Sequence, residues 1–356
     1  MKLKVKWLYQ NNMKLAMLAA MIKYVLILFN KKKKEKIRKD IYNYRDGISG
    51  RDYSRLLKDI LFCQIYYKVT VAEYFYFGFE YLSDTGRQEY ISDSEVLQIC
   101  DAITRPEISI NFRDKYKAYQ KFSPYYGRAI IKVEDSTDDE IATFIRNHRH
   151  FLIKPLDQSK GRGIQKINLD FDTQNILEIV ERVKDAGHCI LEEEIVQSGL
   201  LNDFHPISVN TVRFATYITQ DDIVTNMYAM IRIGCGNSSV DNISSGGIFA
   251  NIDMETGTIS SPAFDLHERK YLNHPDTHVP ILGQVLPEWE ELKQIAAKAA
   301  RVIPQQKYVG WDFAYSNKGW IIVEANHRPG MRGLQVLSGH GLRQMIDCTI
   351  KQELLK

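Results

Sequence analysis

Two short stretches near the C-terminal end constrain this chain more than any other feature: Gly310-Trp-Asp312-Phe, and then Trp320-Ile-Ile-Val-Glu324-Ala-Asn326. An apolar run ending in Glu324 and Asn326 reads as a strand, and its period of two puts both side chains on one face. A short turn over 316–319 would fold the Asp312 strand back against it, so that three oxygen donors converge across one hairpin. Glu324 follows Ile-Ile-Val and precedes Ala, which predicts burial, and an unpaired buried carboxylate is costly. A cation removes that cost, and hard oxygen donors of this kind suit Mg²⁺.

A second group of residues reads as the opposite end of a site. Phe151-Leu-Ile-Lys154-Pro155 is an apolar strand delivering one lysine into Ser159-Lys160-Gly161-Arg162-Gly163. Two glycines let backbone N–H groups approach an anion while Lys154 supplies a fixed positive charge. Neither G-x-x-x-x-G-K-[ST] nor G-x-G-x-x-G is present, and a hairpin turn explains a lysine before Gly-x-Gly about as often. Cys189-Ile-Leu-Glu192-Glu193-Glu194-Ile195 runs abruptly into three carboxylates. They could accept hydrogen bonds from a purine amino group or a ribose hydroxyl, although taken alone the stretch reads as a solvated acidic patch. Arg213, in Asn210-Thr-Val-Arg213, and Arg328, with the Gly330 N–H, are candidates for neutralising charge that develops on a reacting carboxyl or phosphoryl group. A structural ion pair is the alternative for Arg213.

The setting is a chain of 356 residues, enough for two domains or one with clear lobes. Residues 40–113 are helical in character, and the tyrosines and phenylalanines between 66 and 81 predict helix-packing core. Strands follow at 129–133, 151–155, 189–191, 212–218, 224–233, 311–315 and 320–323, with helices at 138–146 and 288–302, which makes an α/β or α+β body. Residues 238–251, polar and glycine-rich, could contact phosphate or an acceptor. His267, His274 and His278 have no Cys or carboxylate to complete a zinc site and read as a solvated loop.

Basicity is confined to the N-terminus: residues 1–40 hold 12 Lys/Arg against Glu35 and Asp40, and the remainder is mildly acidic. That tail suits an anionic membrane surface or another acidic partner, and the body gives no case for nucleic acid. The apolar run at 13–29 is broken by Lys14 and Lys23 and is too short to span a bilayer, and no small-residue cleavage site closes it. The two lysines fall on opposite sides of a helix, so the segment is no clean interfacial amphipath. Docking on the body and contact with a membrane both stay open. The five scattered cysteines predict reduced thiols.

Taken in order, these motifs resemble the ATP-grasp superfamily, most closely the sugar-transfer-associated and teichuronopeptide-type proteins of bacterial polysaccharide biosynthesis. The ligases' Glu-Ala-Asn and Pro-Gly-Met are similar to Glu324–Asn326 and Pro329–Met331. The resemblance spans about residues 111–337. It implies an α+β ATP-grasp fold, two α/β lobes clasping ATP: a basic and apolar segment at 1–40, a helical region at 41–125, one lobe at 126–190 and a second at 191–356. It makes Lys154 and Lys115 phosphate ligands, with Lys117 a rival to Lys115. Lys160, Gly161 and Gly163 become a mobile flap and Glu192, Glu193, Glu194 and Ile195 an adenine hinge. Asp312, Glu324 and Asn326 become ligands for two Mg²⁺ ions, for which Mn²⁺ can substitute, and Arg213 and Arg328 the catalytic cations. The implied activity joins a carboxylate, such as a carboxylated sugar, to an amine through an acyl phosphate, in the cytoplasm or at the inner face of the membrane. A kinase for hydroxyl groups and a non-catalytic ATP-binding scaffold are the alternatives. One departure stands out: many of these ligases carry an Arg two residues before the first metal Asp, where this chain has Gly310.

Overall fold

The computed structural model describes residues 12–45, 47–156, 163–170, 175–267 and 269–351. Two compact units form, one from residues 1–102 with 330–356 and one from 103–329. The segments 41–125 and 191–356 read from the sequence each straddle a boundary between these units.

The first unit contains helices α1 (Met13–Leu28), α2 (Lys31–Tyr42) and α3 (Gly50–Tyr66). The Ser49 side chain caps α3 by accepting the Asp52 N–H, which satisfies one of the four otherwise orphaned donors of a helix start. Leu56, Leu57, Ile60, Leu61 and Cys63 make the buried stripe of α3, and Tyr67, Tyr74, Phe77, Phe79 and Tyr90 pack with it. The aromatic run is therefore core, as its spacing predicts. Arg87 bonds both Asp59 oxygens at 2.9 and 2.7 Å, and the Tyr74 hydroxyl donates to the same carboxylate.

The second unit holds α4 (Lys115–Phe122), β1 (Ile130–Lys132), α5 (Asp138–Asn147), β2 (His150–Pro155), β3 (Gln165–Asn168), α6 (Ile176–Asp185) and β4 (Cys189–Glu193). It continues through β5 (Thr211–Ile218), β6 (Val224–Ile233), β7 (Ile248–Ile252), β8 (Ala263–Phe264), β9 (Lys270–Tyr271), α7 (Trp289–Ala300), β10 (Tyr308–Ser316) and β11 (Gly319–Asn326). Two antiparallel sheets result, in the orders β1-β4-β2-β3 and β11-β10-β5-β6-β7-β8-β9.

The small sheet buries Phe151, Ile153 and Leu191 against Ile141, Ile145, Val180 and Val183 of α5 and α6. The large sheet buries Phe214, Ile231, Trp311, Phe313 and Ile322 in one cluster with Trp289, Leu292, Ala296 and Ala299 of α7; the alanine stripe lets the helix lie close to the strands. Alternation then sends Arg213, Arg232, Asp312 and Glu324 to the other face. Strands β3 and β7–β9 are absent from the sequence reading. β3 offers a single buried apolar residue, Ile167, and β7 begins inside the polar, glycine-rich stretch 238–251.

Candidate active site

On the outward face of the large sheet the register sets side chains in rows. Glu324 stands opposite Asp312, Asp312 opposite Arg213, and Asn326 opposite Gly310. The hairpin expected at 316–319 is thus the β10–β11 turn. A bulge skips Val323 between the pairs Asp312/Glu324 and Phe313/Ile322. Up to Ile322 the strand is buried on both faces, but beyond the bulge Ala325 is buried while Glu324 is exposed. The predicted burial of Glu324 is therefore wrong, because its apolar neighbours lie before the bulge and cover a part of the strand it does not share.

Asp312 is the buried member, 2% exposed. Its carboxylate pairs with the Arg213 guanidinium, accepts Arg232 Nη2 at 3.0 Å and accepts Asn326 Nδ2 at 3.3 Å. Burial opposes its ionisation, but Arg213 and Arg232 hold it below the ordinary carboxylate range. Arg213 in turn is raised by Asp312 against its own burial. Glu324 has no hydrogen-bond or ion-pair partner among the described residues. Crowding by protein, which strips part of its hydration, and then the charge of Asp312 push its carboxyl up.

One member of this network, Arg232, was missed from sequence, and a second, Asp241, was read only as part of the polar stretch 238–251. Arg232, on the strand beside Arg213, bridges Asp312 to Asp241, whose oxygen lies 3.3 Å from Arg232 Nε. Thr211 donates to Asp241 and accepts from Arg232 at 2.7 and 3.1 Å. Asp241 is buried, and burial outweighs Arg232 in raising its pKa. Of the stretch 238–251, then, Asp241 joins this network while 248–251 are strand.

The small sheet supplies the other set. Lys154 Nζ lies 2.8 Å from Glu192, and Arg128 contacts the same carboxylate at 2.7 and 2.8 Å. Arg128 also donates to the carbonyls of Ile322 at 2.6 Å and Val323 at 3.3 Å, so it pins β4 to the bulge of β11. No sequence signal announces Arg128, because its partners lie 64 and 194 residues away. Gly127 before it has φ +60°, and a Cβ there would come within 2.5 Å of Ile321, so only glycine admits this approach. Burial works against Glu192, yet Arg128 and Lys154 hold its pKa down to about 2. The charge of Lys154 also acts on Glu324, so the lysine and the carboxylates share one electrostatic neighbourhood.

Asp114 caps α4 through the N–H groups of Tyr116 and Lys117, and Lys115 Nζ donates to the Pro155 carbonyl at 2.9 Å, one residue from Lys154. Lys117 is exposed. The Glu192 carboxylate is buried between Lys154 and Arg128. Glu193 accepts the Ala129 N–H at 2.9 Å, Glu194 pairs with Lys166 at 2.5 Å, and Ile195 follows half-buried. Arg328 is exposed just beyond β11. Gly163 has φ +70°; Lys160 and Gly161 lie outside the described residues.

The donor set at the hairpin fits a hard divalent cation: two carboxylates and an amide on one face, one carboxylate unpartnered among the described residues. The histidine loop does not fit one. His274 is buried rather than solvated, beside Cys235 and Asp276. Its Nδ1 accepts the N–H groups of Asp276 and Thr277, and Nε2 donates to the Gly234 carbonyl at 2.8 Å. Neither ring nitrogen keeps a lone pair for a metal.

A family model described as sugar-transfer associated ATP-grasp matches residues 125–351. Comparison with curated proteins found no match. Among solved structures, the chain is similar to the ATP-grasp ligase PsnB complexed with minimal precursor, at 12% identity and TM-score 0.41 over 70% of this chain and 64% of that one. It is also similar to D-alanyl-alanine synthetase A from Vibrio cholerae, at 15% identity and TM-score 0.44 over 71% and 68%. For N5-carboxyaminoimidazole synthetase from Staphylococcus aureus complexed with ADP the values are 13%, 0.40, 71% and 60%. The chain thus spans less than two thirds of PsnB and of the staphylococcal enzyme.

Proposed function

Because the chain belongs to the sugar-transfer associated ATP-grasp family, we propose that it is an ATP- and Mg²⁺-dependent carboxylate–amine ligase acting in assembly of a bacterial surface polysaccharide. The observation that carries this reading is the opposition of charges: Lys154 beside an already shared Glu192, its charge reaching Glu324, which stands opposite Asp312 without a partner among the described residues.

Lys154 and Lys115 are the residues to take the phosphates of ATP. Asp312, Glu324 and Asn326 would hold Mg²⁺, which neutralises charge on the phosphate oxygens when bound. A substrate carboxylate oxygen attacks the γ-phosphorus, the bond to ADP breaks, and a mixed carboxylic–phosphoric anhydride forms. The nitrogen of an amine then attacks the acyl carbon, phosphate leaves, and loss of a proton completes the amide. Arg213 and Arg232 carry donors suited to the oxyanion of that second step, and Arg213 passes within 3.3 Å of where a side chain at Gly310 would begin. A cytoplasmic location, where ATP is supplied and free cysteines stay reduced, fits this chemistry.

The test measures ADP and free phosphate with Mg²⁺-ATP across uronic acids and amino acids, singly and in pairs. Phosphate equal to ADP, appearing only when acid and amine are both present, is the expected result. ADP without phosphate would make the protein a kinase, and absence of ATP binding would overturn the reading altogether.

A further inference from the structure

Helix α1 inverts the ordinary distribution of apolar side chains. It lies against α3 through a narrow stripe in which Ala16, Ala20 and Ile27 are buried, and Lys23 turns the same way, its Nζ 3.0 Å from Gln64 Oε1. The outward surface includes Met17, Leu18, Met21, Ile22, Leu26 and Phe29, with Leu26 64% and Phe29 86% exposed. Lys14, at its start, is the charged residue on that side. Lys14 and Lys23 do fall on opposite sides of the helix, as their spacing predicts, and because Lys23 is held by Gln64 the outer face beyond Lys14 is apolar.

A bend of 111° separates α1 from α2. Between positions 31 and 39 this second helix carries seven Lys and Arg against Glu35, all exposed. No single described helix is long and apolar enough to cross a membrane. A contiguous apolar surface flanked by a basic segment is the arrangement that lies in a lipid interface, with cations meeting headgroup phosphates.

We propose that α1 and α2 form a docking surface for an anionic lipid bilayer, α1 entering the acyl boundary and the α2 lysines meeting the lipid phosphates. A second copy of the chain is the weaker occupant. Symmetric pairing through α1 would bring two α2 helices of like charge together, whereas an anionic bilayer satisfies both helices at once. The inference goes beyond the ligase reading and stands without it.

The experiment floats the full chain, without nucleotide, on vesicles of phosphatidylcholine with or without about 30% phosphatidylglycerol. Two variants accompany it: Leu18→Gln with Met21→Gln and Leu26→Gln, and Lys31→Glu with Lys32→Glu, Lys34→Glu and Lys36→Glu. The expected result is about tenfold or greater preference for anionic vesicles, weakened by salt, with about tenfold loss in each variant. The thermal midpoint should stay unchanged, since every altered side chain is exposed. Binding to neither vesicle, equal binding to both, or undiminished binding in the variants would overturn the proposal. So would a dimer in sedimentation velocity that the α1 variant dissociates while vesicles capture nothing.

Discussion

In the four-stranded sheet two cations, Arg128 and Lys154, surround one carboxylate, Glu192, whereas in the seven-stranded sheet three carboxylates, Asp241, Asp312 and Glu324, surround two guanidinium groups. Both sheets are antiparallel and both bury one face against helices, so the difference is not architectural. It lies in what each polar face leaves uncompensated: one positive charge on the small sheet, one negative charge on the large. Charge left unbalanced in a partly dehydrated setting favours an incoming ion of opposite sign, and a nucleotide triphosphate with its divalent cation brings one of each.

The sharpest way to break this contrast is to neutralise the large sheet. Glu324→Gln and Asp312→Asn should each lower ADP formation by about 10²–10³-fold or more. They should differ in stability. Glu324→Gln should leave urea denaturation within about 0.5 kcal/mol of the parent. Asp312→Asn removes the buried charge that Arg213 and Arg232 share and should cost about 3–5 kcal/mol. On the sequence alone both substitutions look harmless to folding; the burial of Asp312 separates them.

Arg128→Met tests the pin between the sheets. It should destabilise by about 3–5 kcal/mol in the same assay, and much of that loss should disappear when Glu192→Gln is combined with it, since the pair shares one network. Lys154→Met should weaken nucleotide affinity about tenfold or somewhat more in a calorimetric titration, the worth of one hydrogen bond to a charged group.

Acid titration probes the small sheet again. Glu192 is held at about 2, below the ordinary value of about 4.3. The stability it contributes is complete above that ordinary value and is lost as the pH falls through it toward about 2, a decline on the order of 2–3 kcal/mol. Arg128→Met should flatten that part of a stability–pH profile. The smallest effect belongs to Lys166→Ala, which removes the exposed pair with Glu194 and should change stability by less than about 1 kcal/mol.

How much of this was legible follows from the range of each interaction. The Asp312, Glu324 and Asn326 face was readable because it needs only a period of two and a short turn. The strand of Lys154 was readable for the same reason. Arg232 was not, nor were the partners of Asp241, because their contacts with Thr211 and Asp312 depend on which strands lie side by side, and strand order is not encoded locally. Arg128 was silent for want of a nearby partner. His274 was misread because the loop that carries it is polar in sequence, yet folds over Gly234 and buries the ring.

Gly310 bears on how such a site can change over time. A Cβ at this position would fall 2.6 Å from Pro329 Cβ and 3.3 Å from Arg213 Cδ, so the space that an arginine would need is already taken. Installing the ligases' arginine here would require Pro329 to move and the Arg213 side chain to give way, whereas Asp312 would still keep Arg232 and Asn326 if Arg213 were lost. The identity of position 310 is therefore tied to that of Pro329, in the turn beyond the hairpin, so the two positions are expected to change together or not at all.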